Sequence, residues 1–451
     1  MTASKETIVA QATALGRGAV GIIRVSGPNA KAISKLITQK ELKPRYAHYL
    51  PFITGEQQVL DYGLAIFFPN PHSFTGEDVV EFQGHGGPVV LQALQEYIVN
   101  TGLARYAQPG EFSQQAFLNG KLDLVQAEAI ADLINANSMQ AAKGAINSLQ
   151  GAFSEKIATL VEDLILLRTY LEAGMDFPDE EIDILADSFV QQKITELEQR
   201  LIEIKNSAQQ GKILRDGISA VIVGQPNAGK SSLLNALSGE QSAIVTEIAG
   251  TTRDTLKEFI QIDGLPLHII DTAGLRETSD KVELIGIERA YQAMSKADVL
   301  IIMSDQKDFS AEINLLPESI FELDIPKIMI TNKIDIQGEQ PWCEKKGNLY
   351  FLGLSAQTQA GLDNLKSALK EIIGYNQSSE GTIIARQRHI QAINEAAEYF
   401  ANATAYMRIG TSPELIADDL RMAQQKLSEI TGKFTADDLL TRIFTSFCIG
   451  K

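Results

Sequence analysis

The stretch Gly224-Gln225-Pro226-Asn227-Ala228-Gly229-Lys230-Ser231 has the pattern G-x-x-x-x-G-K-[ST]. An apolar run (residues 218–223) precedes it, and a helix-like segment (residues 233–237) follows it. The glycines allow the loop to direct its backbone N–H groups at phosphate oxygens. In such a loop Lys230 reaches the β- and γ-phosphates, and Ser231 ligates Mg²⁺. Because the stretch stands between a strand and a helix, it predicts a P-loop nucleotide site rather than a chance Gly-rich turn.

Three later stretches indicate which nucleotide binds. Asp271-Thr272-Ala273-Gly274 follows an apolar strand, so Asp271 is expected at a strand end near the Mg²⁺. Asn332-Lys333-Ile334-Asp335 follows another strand, and a carboxylate at Asp335 can accept hydrogen bonds from both N1–H and the exocyclic amine of guanine. Adenine offers no such pair of donors, so it would leave a buried charge unpaired. Ser355-Ala356-Gln357 would close over the base, and the four motifs together predict GTP.

The residues that these motifs predict at the GTP site lie in the loops after successive strands. They are Asn227, Ala228, Gly229, Lys230, Ser231, Ser232, Asp271, Thr272, Ala273, Gly274, Asn332, Lys333, Asp335, Ser355, Ala356 and Gln357. A further stretch, Gly250-Thr251-Thr252-Arg253-Asp254, lies where the first switch of a GTPase belongs. Thr252 is suited to ligate Mg²⁺, together with Ser231, when the γ-phosphate is present.

One position departs from the best-known small GTPases. There a Gln directly after D-T-A-G orients the attacking water, but here that position is Leu275. Leucine can neither donate nor accept a hydrogen bond, so either hydrolysis is negligible or another group positions the water. Arg253, Arg276 and Arg289 are candidates for an arginine finger only because they lie nearby along the chain.

The composition sets the protein's class and its setting. A chain of 451 residues should hold two to four domains, and its 44% hydrophobic content is that of a soluble globular protein. The N-terminus lacks a signal-peptide pattern, and no apolar run is long enough to span a bilayer. Cys343 and Cys448 are too few for a disulfide framework, which indicates a cytoplasmic protein. The formal charge of −17 argues against a surface built broadly for nucleic acid.

The pattern along the chain predicts a multidomain protein. Residues 1–118 read as an α+β domain, residues 119–213 as the first part of a helical domain, residues 214–376 as an α/β nucleotide domain, and residues 377–451 as the second helical part. Two helical blocks around one α/β domain predict that the nucleotide domain is inserted into the helical one. Near the N-terminus Gly16-Arg17-Gly18-Ala19-Val20-Gly21 matches G-x-G-x-x-G. A strand-like segment follows it instead of a helix, so a dinucleotide site is not expected there.

Several signatures outside the nucleotide motifs point to one family. They are Gly21-Ile22-Ile23-Arg24-Val25-Ser26-Gly27-Pro28, Thr75-Gly76-Glu77-Asp78, Gly84-His85-Gly86-Gly87, Pro109-Gly110-Glu111-Phe112, Asn119-Gly120-Lys121-Leu122-Asp123 and the tail Cys448-Ile449-Gly450-Lys451. Over essentially its full length the chain resembles the MnmE (TrmE) family, the bacterial and organellar tRNA-modification GTPases. The combination of a mid-chain P-loop with that Cys-containing tail is highly specific.

This resemblance implies an architecture and an activity. Members of the family have an N-terminal α+β domain similar to folate-dependent aminomethyl carriers, a helical domain, and a GTP domain inserted into the helical one. They form homodimers through their N-terminal domains and work with the flavoprotein MnmG in a heterotetramer. Together they attach a carboxymethylaminomethyl- or aminomethyl-type group to C5 of the wobble uridine in certain tRNAs. The one-carbon donor is 5-formyl- or methylene-tetrahydrofolate.

The resemblance also implies roles for particular residues. Folate would be contacted by Arg24, Glu81, Lys121 and the terminal Lys451. A potassium ion would supply positive charge where an arginine finger would lie, with ligands from Asn227, Thr246, Ile248 and Thr251. Glu283 corresponds to the residue that orients the attacking water through a second water. The loop that adds further GTP contacts comprises Thr246, Glu247, Ile248, Ala249, Gly250, Thr251 and Thr252. The catalytic residues of this hypothesis are Lys230, Thr252 and Glu283 and, for the modification chemistry, Cys448.

Some alternatives stay open at the level of the sequence. Cys448 could be an inert thiol near a terminus, Glu283 a solvated carboxylate, and His85 part of a tight turn. The chain could instead be a GTPase switch in ribosome assembly or membrane insertion, without modification chemistry, because Leu275-type switches occur there too. A helical scaffold with an inactive nucleotide site is a third hypothesis, and it would require no GTP turnover.

Overall fold

The structure is a computed structural model, and it describes residues 6–55, 57–176, 187–238, 257–271, 294–314, 324–374, 382–409 and 413–433, with residues 443, 445, 447 and 450. The chain divides into two compact units. The first comprises Met1–Ile134, Ser148–Leu201 and Gln391–Lys451, and the second comprises Asn135–Asn147 and Ile202–Ile390. The fold class predicted from the sequence is confirmed, whereas the domain boundaries at residues 118, 213 and 376 stay predictions.

The first unit begins with a six-stranded sheet. Its strands are β1 (Ile8–Gln11), β2 (Gly18–Ser26), β3 (His48–Ile53), β4 (Val59–Phe68), β5 (Val79–Gly86) and β6 (Arg105–Tyr106), in the order β3-β4-β5-β2-β1-β6. Helices α1 (Ala30–Thr38) and α2 (Pro88–Asn100) bury one face of the sheet in a core that includes Ile23, Phe52 and Phe82. Alternating side chains on β2 and β5 point to the opposite face. Gly18 to Gly21 lie within β2, so the absence of a dinucleotide-type helix at this motif is confirmed.

Helices make up most of the remaining described part of the first unit. They are α3 (Glu111–Leu118), α4 (Leu124–Ile134), α5 (Met139–Leu149), α6 (Ala152–Asp176), α7 (Ser188–Asp216), α12 (Gln387–Ile409) and α13 (Pro413–Thr431), of which α5, α7 and α12 continue into the second unit. The apolar stripe on α6 is buried: Phe153, Ile157 and Leu164 are 0 to 1% exposed. Helix α13 packs along α6, where Arg168 Nη1 donates a 2.6 Å hydrogen bond to Gln424 Oε1.

The second unit contains a seven-stranded sheet. Its strands are β7 (Ile218–Gly224), β8 (Lys257–Ile262), β9 (Leu265–Asp271), β10 (Val299–Ser304), β11 (Lys327–Thr331), β12 (Trp342–Lys346) and β13 (Leu349–Gly353), in the order β12-β13-β11-β10-β7-β9-β8. The described helices between the strands are α8 (Lys230–Ser238), α9 (Ser310–Ile313), α10 (Ile334–Gln337) and α11 (Leu362–Ile372). The five central strands are parallel, and β8 and β12 are antiparallel edges. In such sheets ligands bind outside the carboxyl ends of the strands.

The carboxyl ends of the parallel strands place the predicted nucleotide motifs together. Strand β7 ends at Gly224, β9 at Asp271, β11 at Thr331 and β13 at Gly353, and each motif follows one of these ends. The sequence predicts this arrangement because these strands are runs of buried apolar residues, as on β10, where all six residues are buried. None of the helices that the structure describes has the length and apolar character required to cross a membrane.

Candidate functional site

The P-loop connects β7 to α8 and has the backbone conformation that its sequence predicts. Asn227 and Gly229 lie in the left-handed region, with φ of 69° and 98°. A Cβ atom on Gly229 would lie 2.2 Å from Asn332 Nδ2, so only glycine fits there. The loop therefore passes close to Asn332, which directly follows β11, and at Gly229 it has no side chain between its backbone and a ligand. This is the cradle that a phosphate chain requires.

Lys230 is the first residue of α8 and folds back over the loop. Its Nζ donates hydrogen bonds to Gly224 O at 2.6 Å and to Gln225 O at 3.2 Å. The ammonium group thus lies against the loop that would hold the β- and γ-phosphates. Ser231 and Ser232 follow it and are exposed, so the Ser231 hydroxyl is accessible to a magnesium ion.

Asn332 links two of the predicted motifs. It is 2% exposed, its Nδ2 donates a 2.8 Å hydrogen bond to Ala228 O, and its Oδ1 accepts a 3.0 Å hydrogen bond from Ala356 N. One N–H and one oxygen lone pair of the side-chain amide therefore connect the P-loop to the 355–357 loop. Asn332 is predicted from the sequence as a residue of the GTP site, but its bridging role could not be inferred from the motif's spacing.

Asp335 remains available for a base. It is exposed at the start of α10, and its carboxylate makes no hydrogen bond to any residue that the structure describes. Neighbouring Lys333 has a left-handed backbone, φ 61°, and its Nζ lies 3.1 Å from Asp305 Oδ2. A carboxylate held at a sheet edge without an internal partner can accept both donors of a guanine edge.

The 355–357 loop is held by its own backbone. Ser355 is fully buried, its N–H donates to Ala360 O at 2.9 Å, and its Oγ accepts from Thr358 N at 3.2 Å. Ala356 is buried against Asn332, whereas Gln357 is exposed. The described nucleotide residues that follow β7, β11 and β13 therefore form one site at the carboxyl edge of the sheet.

Other predicted residues lie outside the part of the chain that the structure describes. They are Thr246, Glu247, Ile248, Ala249, Gly250, Thr251, Thr252, Thr272, Ala273, Gly274, Glu283, Cys448 and Lys451, together with the side chain of Asp271. Their roles stay predictions.

Two of the predicted folate residues, Arg24 and Glu81, pair directly on the first sheet. They are cross-strand neighbours on β2 and β5, and Arg24 Nε and Nη2 each lie 2.9 Å from Glu81 Oε1. Their side chains are 23% and 15% exposed. The Arg24 guanidinium lies over the rings of Phe74 and Phe112, at 5.5 and 5.8 Å from the centroids. The site combines a charged pair with two aromatic rings, which suits a flat, polar heterocycle.

The third predicted folate residue, Lys121, reaches the same region through the loop between β4 and β5. Its Nζ donates a 3.0 Å hydrogen bond to Pro71 O, and its alkyl chain packs near Gly76. Phe74 of this loop lies at Arg24. The structure therefore brings Arg24, Glu81 and Lys121 to one loop, although they are far apart in sequence.

Gly450, the described residue of the C-terminal tail, lies against the same sheet. A Cβ on Gly450, whose φ is 93°, would lie 2.1 Å from Gln11 O, so the tail backbone packs closely on the end of β1. Gln11 pairs with Ile23, next to Arg24. Phe447, on the other side of Cys448 in the chain, packs with Leu124 in a buried cluster. Gly450 and Phe447, the described residues on either side of Cys448, therefore both pack against residues of the first unit.

His85 is not in a tight turn, so that hypothesis is wrong. It lies in β5, and its Nδ1 is 2.7 Å from Asp61 Oδ1. The Asp61 carboxylate also accepts hydrogen bonds from the backbone N–H groups of Tyr62 and His85, each at 2.8 Å. Burial alone would raise the pKa of Asp61, but the hydrogen bonds from the His85 ring and from the two backbone N–H groups outweigh it and lower that pKa. No sequence signal pairs these residues, which lie on adjacent strands 24 positions apart.

The fold and the site of the second unit together identify the class of protein. A parallel sheet with a P-loop, a buried Asn tying that loop to a base-covering loop, and a free carboxylate for the guanine edge are the features of a P-loop guanine-nucleotide-binding protein. The family model described as "GTP-binding protein TrmE N-terminus" matches residues 7–121, and the "MnmE helical domain" model matches residues 124–448. The chain belongs to the MnmE family of tRNA modification GTPases.

Individual relatives match this chain over nearly its whole length. The tRNA modification GTPase MnmE of Proteus mirabilis is 55% identical over 99% of this chain and 100% of its own, and that of Mannheimia succiniciproducens is 54% identical over the same shares. Among solved structures, Aquifex aeolicus Era bound to GDP·AlF4⁻ is 26% identical over 40% of this chain and 66% of its own, with a TM-score of 0.27. The family assignment rests on the family models and the full-length relatives.

Proposed function

We propose that this GTPase acts on tRNA, where with the flavoprotein MnmG it attaches a carboxymethylaminomethyl- or aminomethyl-type group to C5 of the wobble uridine. The observation that carries the proposal is the 55% identity, over 99% of the chain, to a relative named as a tRNA modification GTPase. A GTPase switch in ribosome assembly or membrane insertion would not require the Arg24–Glu81 pair. The cytoplasm, where tRNA is found, is the proposed location.

The residues of the nucleotide site fit GTP with Mg²⁺. Lys230 would contact the β- and γ-phosphates, and Ser231 with Thr252 would hold the magnesium ion. Bound Mg²⁺ neutralises charge on the phosphate oxygens. Asp335 would accept the two guanine donors, while Asn332 keeps the P-loop and the 355–357 loop at a fixed spacing. In this proposal Asp335 recognises the base, and Asn332 maintains the structure of the loops around it.

We further propose that hydrolysis depends on potassium, because Leu275 cannot orient water. Asn227 is exposed in a left-handed conformation beside Gly229, and its side-chain amide makes no hydrogen bond to a described residue. That amide oxygen fits a ligand role toward a cation, with Thr246, Ile248 and Thr251 as the further ligands. A bound cation there supplies positive charge at the γ-phosphate. Glu283 would orient the attacking water.

The second proposed site holds the tetrahydrofolate donor, either the 5-formyl or the methylene form. Glu81 keeps lone pairs for ring N–H donors, since Arg24 engages chiefly Oε1 and Gln83 Nε2 donates to Oε2 at a longer 3.3 Å. Phe74 and Phe112 offer aromatic faces next to the guanidinium. Lys121 and the terminal Lys451 would bind the donor's carboxylates, and Cys448 would take part in the modification chemistry.

A homodimer through the N-terminal domains belongs to the same proposal, as does a heterotetramer with MnmG. It is supported by apolar side chains on the face of the first sheet opposite the helices. Tyr49 and Tyr62 stack at 6.3 Å between ring centroids, and they are 70% and 50% exposed. Val20, on β2, is 59% exposed. A second copy could cover this face, whereas a monomer would leave it in water.

The test is nucleoside analysis of tRNA from cells that have the protein and from cells that lack it. The C5-modified wobble uridine should disappear when the gene is deleted and return on complementation. A normal level of the modified nucleoside in the deletion strain would refute the proposed tRNA role.

A further inference from the structure

The first unit contains a pocket that is lined in part by Lys121 and whose other lining residues have no role so far. Its volume is about 400 Å³. It is lined by Phe117, Gly120, Lys121, Leu122, Asp123, Gln126, Thr431, Gly432 and Lys433. Phe117 and Leu122 are the apolar side chains of the lining, and Lys121 and Lys433, about 310 residues apart in sequence, are its two basic residues.

The walls of the pocket are fixed by close packing. Lys433 follows the end of α13, and its N–H donates a 3.2 Å hydrogen bond to Ser428 O. Gly432 has φ of 86°, and a Cβ there would lie 2.8 Å from the Phe117 ring. On the opposite side the Lys121 N–H donates a 2.8 Å hydrogen bond to Ala116 O. The backbones that carry both lysines are therefore held in place.

The charge of the pocket favours an anion. Neither Lys121 nor Lys433 forms an ion pair with a residue that the structure describes. The carboxylate that lines the pocket, Asp123, caps α4: its Oδ1 accepts from Gln126 N at 2.8 Å, and Gln126 Oε1 accepts from Asp123 N at 3.0 Å. Two cations against one engaged carboxylate leave a net positive charge. This is a local exception in a chain whose formal charge is −17.

We infer that this pocket binds the glutamate tail of the folate donor, with Lys433 as a specificity-determining residue for tails of more than one glutamate. The inference rests on the proposed folate site. Lys121 connects the two, because it lines the pocket and also contacts the loop whose Phe74 lies at Arg24. A ligand whose ring lies at Arg24 and Glu81 would extend its anionic end past Lys121 toward Lys433. Each added γ-linked glutamate brings one carboxylate, which is what a second lysine can recognise.

The test measures binding of tetrahydrofolate with one and with three glutamates to the full-length protein by titration calorimetry. The wild type should bind the triglutamate about threefold to tenfold more tightly, a ratio that falls as KCl rises from 50 to 300 mM, because partly exposed ion pairs are weak and screened. Lys433→Ala should bring this ratio close to one and leave monoglutamate binding within twofold. Lys433→Arg should keep the preference, and Lys40→Ala, at another exposed lysine of the same unit, should leave it unchanged.

Each other outcome decides against the inference in a different way. If the monoglutamate binds but neither tail length nor Lys433→Ala matters, the pocket is not a tail site and the folate proposal stands. If no folate binds with either tail, both are wrong. If Lys433→Ala weakens binding of tRNA while the folate preference is unchanged, the pocket serves a phosphate of the nucleic acid and the inference is overturned.

Discussion

Replacing Asn332 with alanine tests whether the nucleotide site depends on the buried bridge between its loops. Asn332→Ala removes both hydrogen bonds and leaves Ala228 O and Ala356 N without their partners in a site that is 2% exposed. A buried hydrogen bond contributes on the order of 1 kcal/mol, and an orphaned backbone group costs about 1–3 kcal/mol. Water can enter the space that the side chain vacates and partly compensate. We therefore expect the free energy of unfolding to fall by about 2–4 kcal/mol. For a unit of this size that lowers the Tm by roughly 5–15 °C.

The assay is thermal unfolding of the nucleotide-free protein, with GTP and xanthosine triphosphate affinities measured on the same samples. Asn332→Ala should weaken the binding of both nucleotides, because the two loops that Asn332 connects would hold either of them. The matched control is Asp335→Ala, which removes an exposed carboxylate and should shift the Tm by no more than about 2 °C. A Tm for Asn332→Ala within 1 °C of wild type, or a loss of binding confined to GTP, would refute the bridging role.

Four further predictions follow from the two sites. GTP turnover should be faster in KCl than in NaCl at equal ionic strength and saturating Mg²⁺, and equal rates would exclude a cation at Asn227. Asp335→Asn should weaken the binding of GTP and improve the binding of xanthosine triphosphate, because xanthine carries an acceptor where guanine has its amine. An unchanged ratio of the two affinities would show that Asp335 does not contact the base. Cys448→Ser should leave GTP hydrolysis nearly intact and abolish the modified nucleoside, since a hydroxyl is a far weaker nucleophile than a thiolate; normal modification would make the thiol structural. Asp61→Asn should destabilise the protein by on the order of 2 kcal/mol at pH 7. The lowered pKa of Asp61 means that its stabilisation is present above roughly pH 4 and is lost as the pH falls through the folded-state value. Urea unfolding should therefore show the difference from wild type narrowing in acid, and a gap that widens there would contradict the role of the carboxylate.

The sequence predicts the strand and helix pattern well where burial is one-sided or complete. Strand β7 and its P-loop lie where G-x-x-x-x-G-K-[ST] places them, between a buried strand and a helix. The sequence also predicts that a strand rather than a helix follows Gly16 to Gly21, since β-branched residues come after this motif. These features depend on local spacing, which a single sequence displays directly.

Contacts between distant segments could not be predicted in the same way. The Asn332 bridge needs the backbone positions of two other loops, and the Asp61–His85 pair needs the register of β4 on β5. The Gly84-to-Gly87 stretch suggested a turn because of its composition, but close backbone approach within a sheet also requires glycine. Likewise the pocket at Lys121 is completed by Lys433, which no motif connects with it.

The central claim is most directly tested by a reconstituted reaction with purified protein, the flavoprotein partner, tRNA, GTP, KCl and the tetrahydrofolate donor, read out by the mass of the wobble nucleoside. We expect the C5-modified uridine to form only when all components are present and to be absent with Lys230→Ala or with a non-hydrolysable GTP analogue. Formation of the same nucleoside without this protein, or at an undiminished rate with Lys230→Ala, would contradict the claim that its GTP hydrolysis serves tRNA modification.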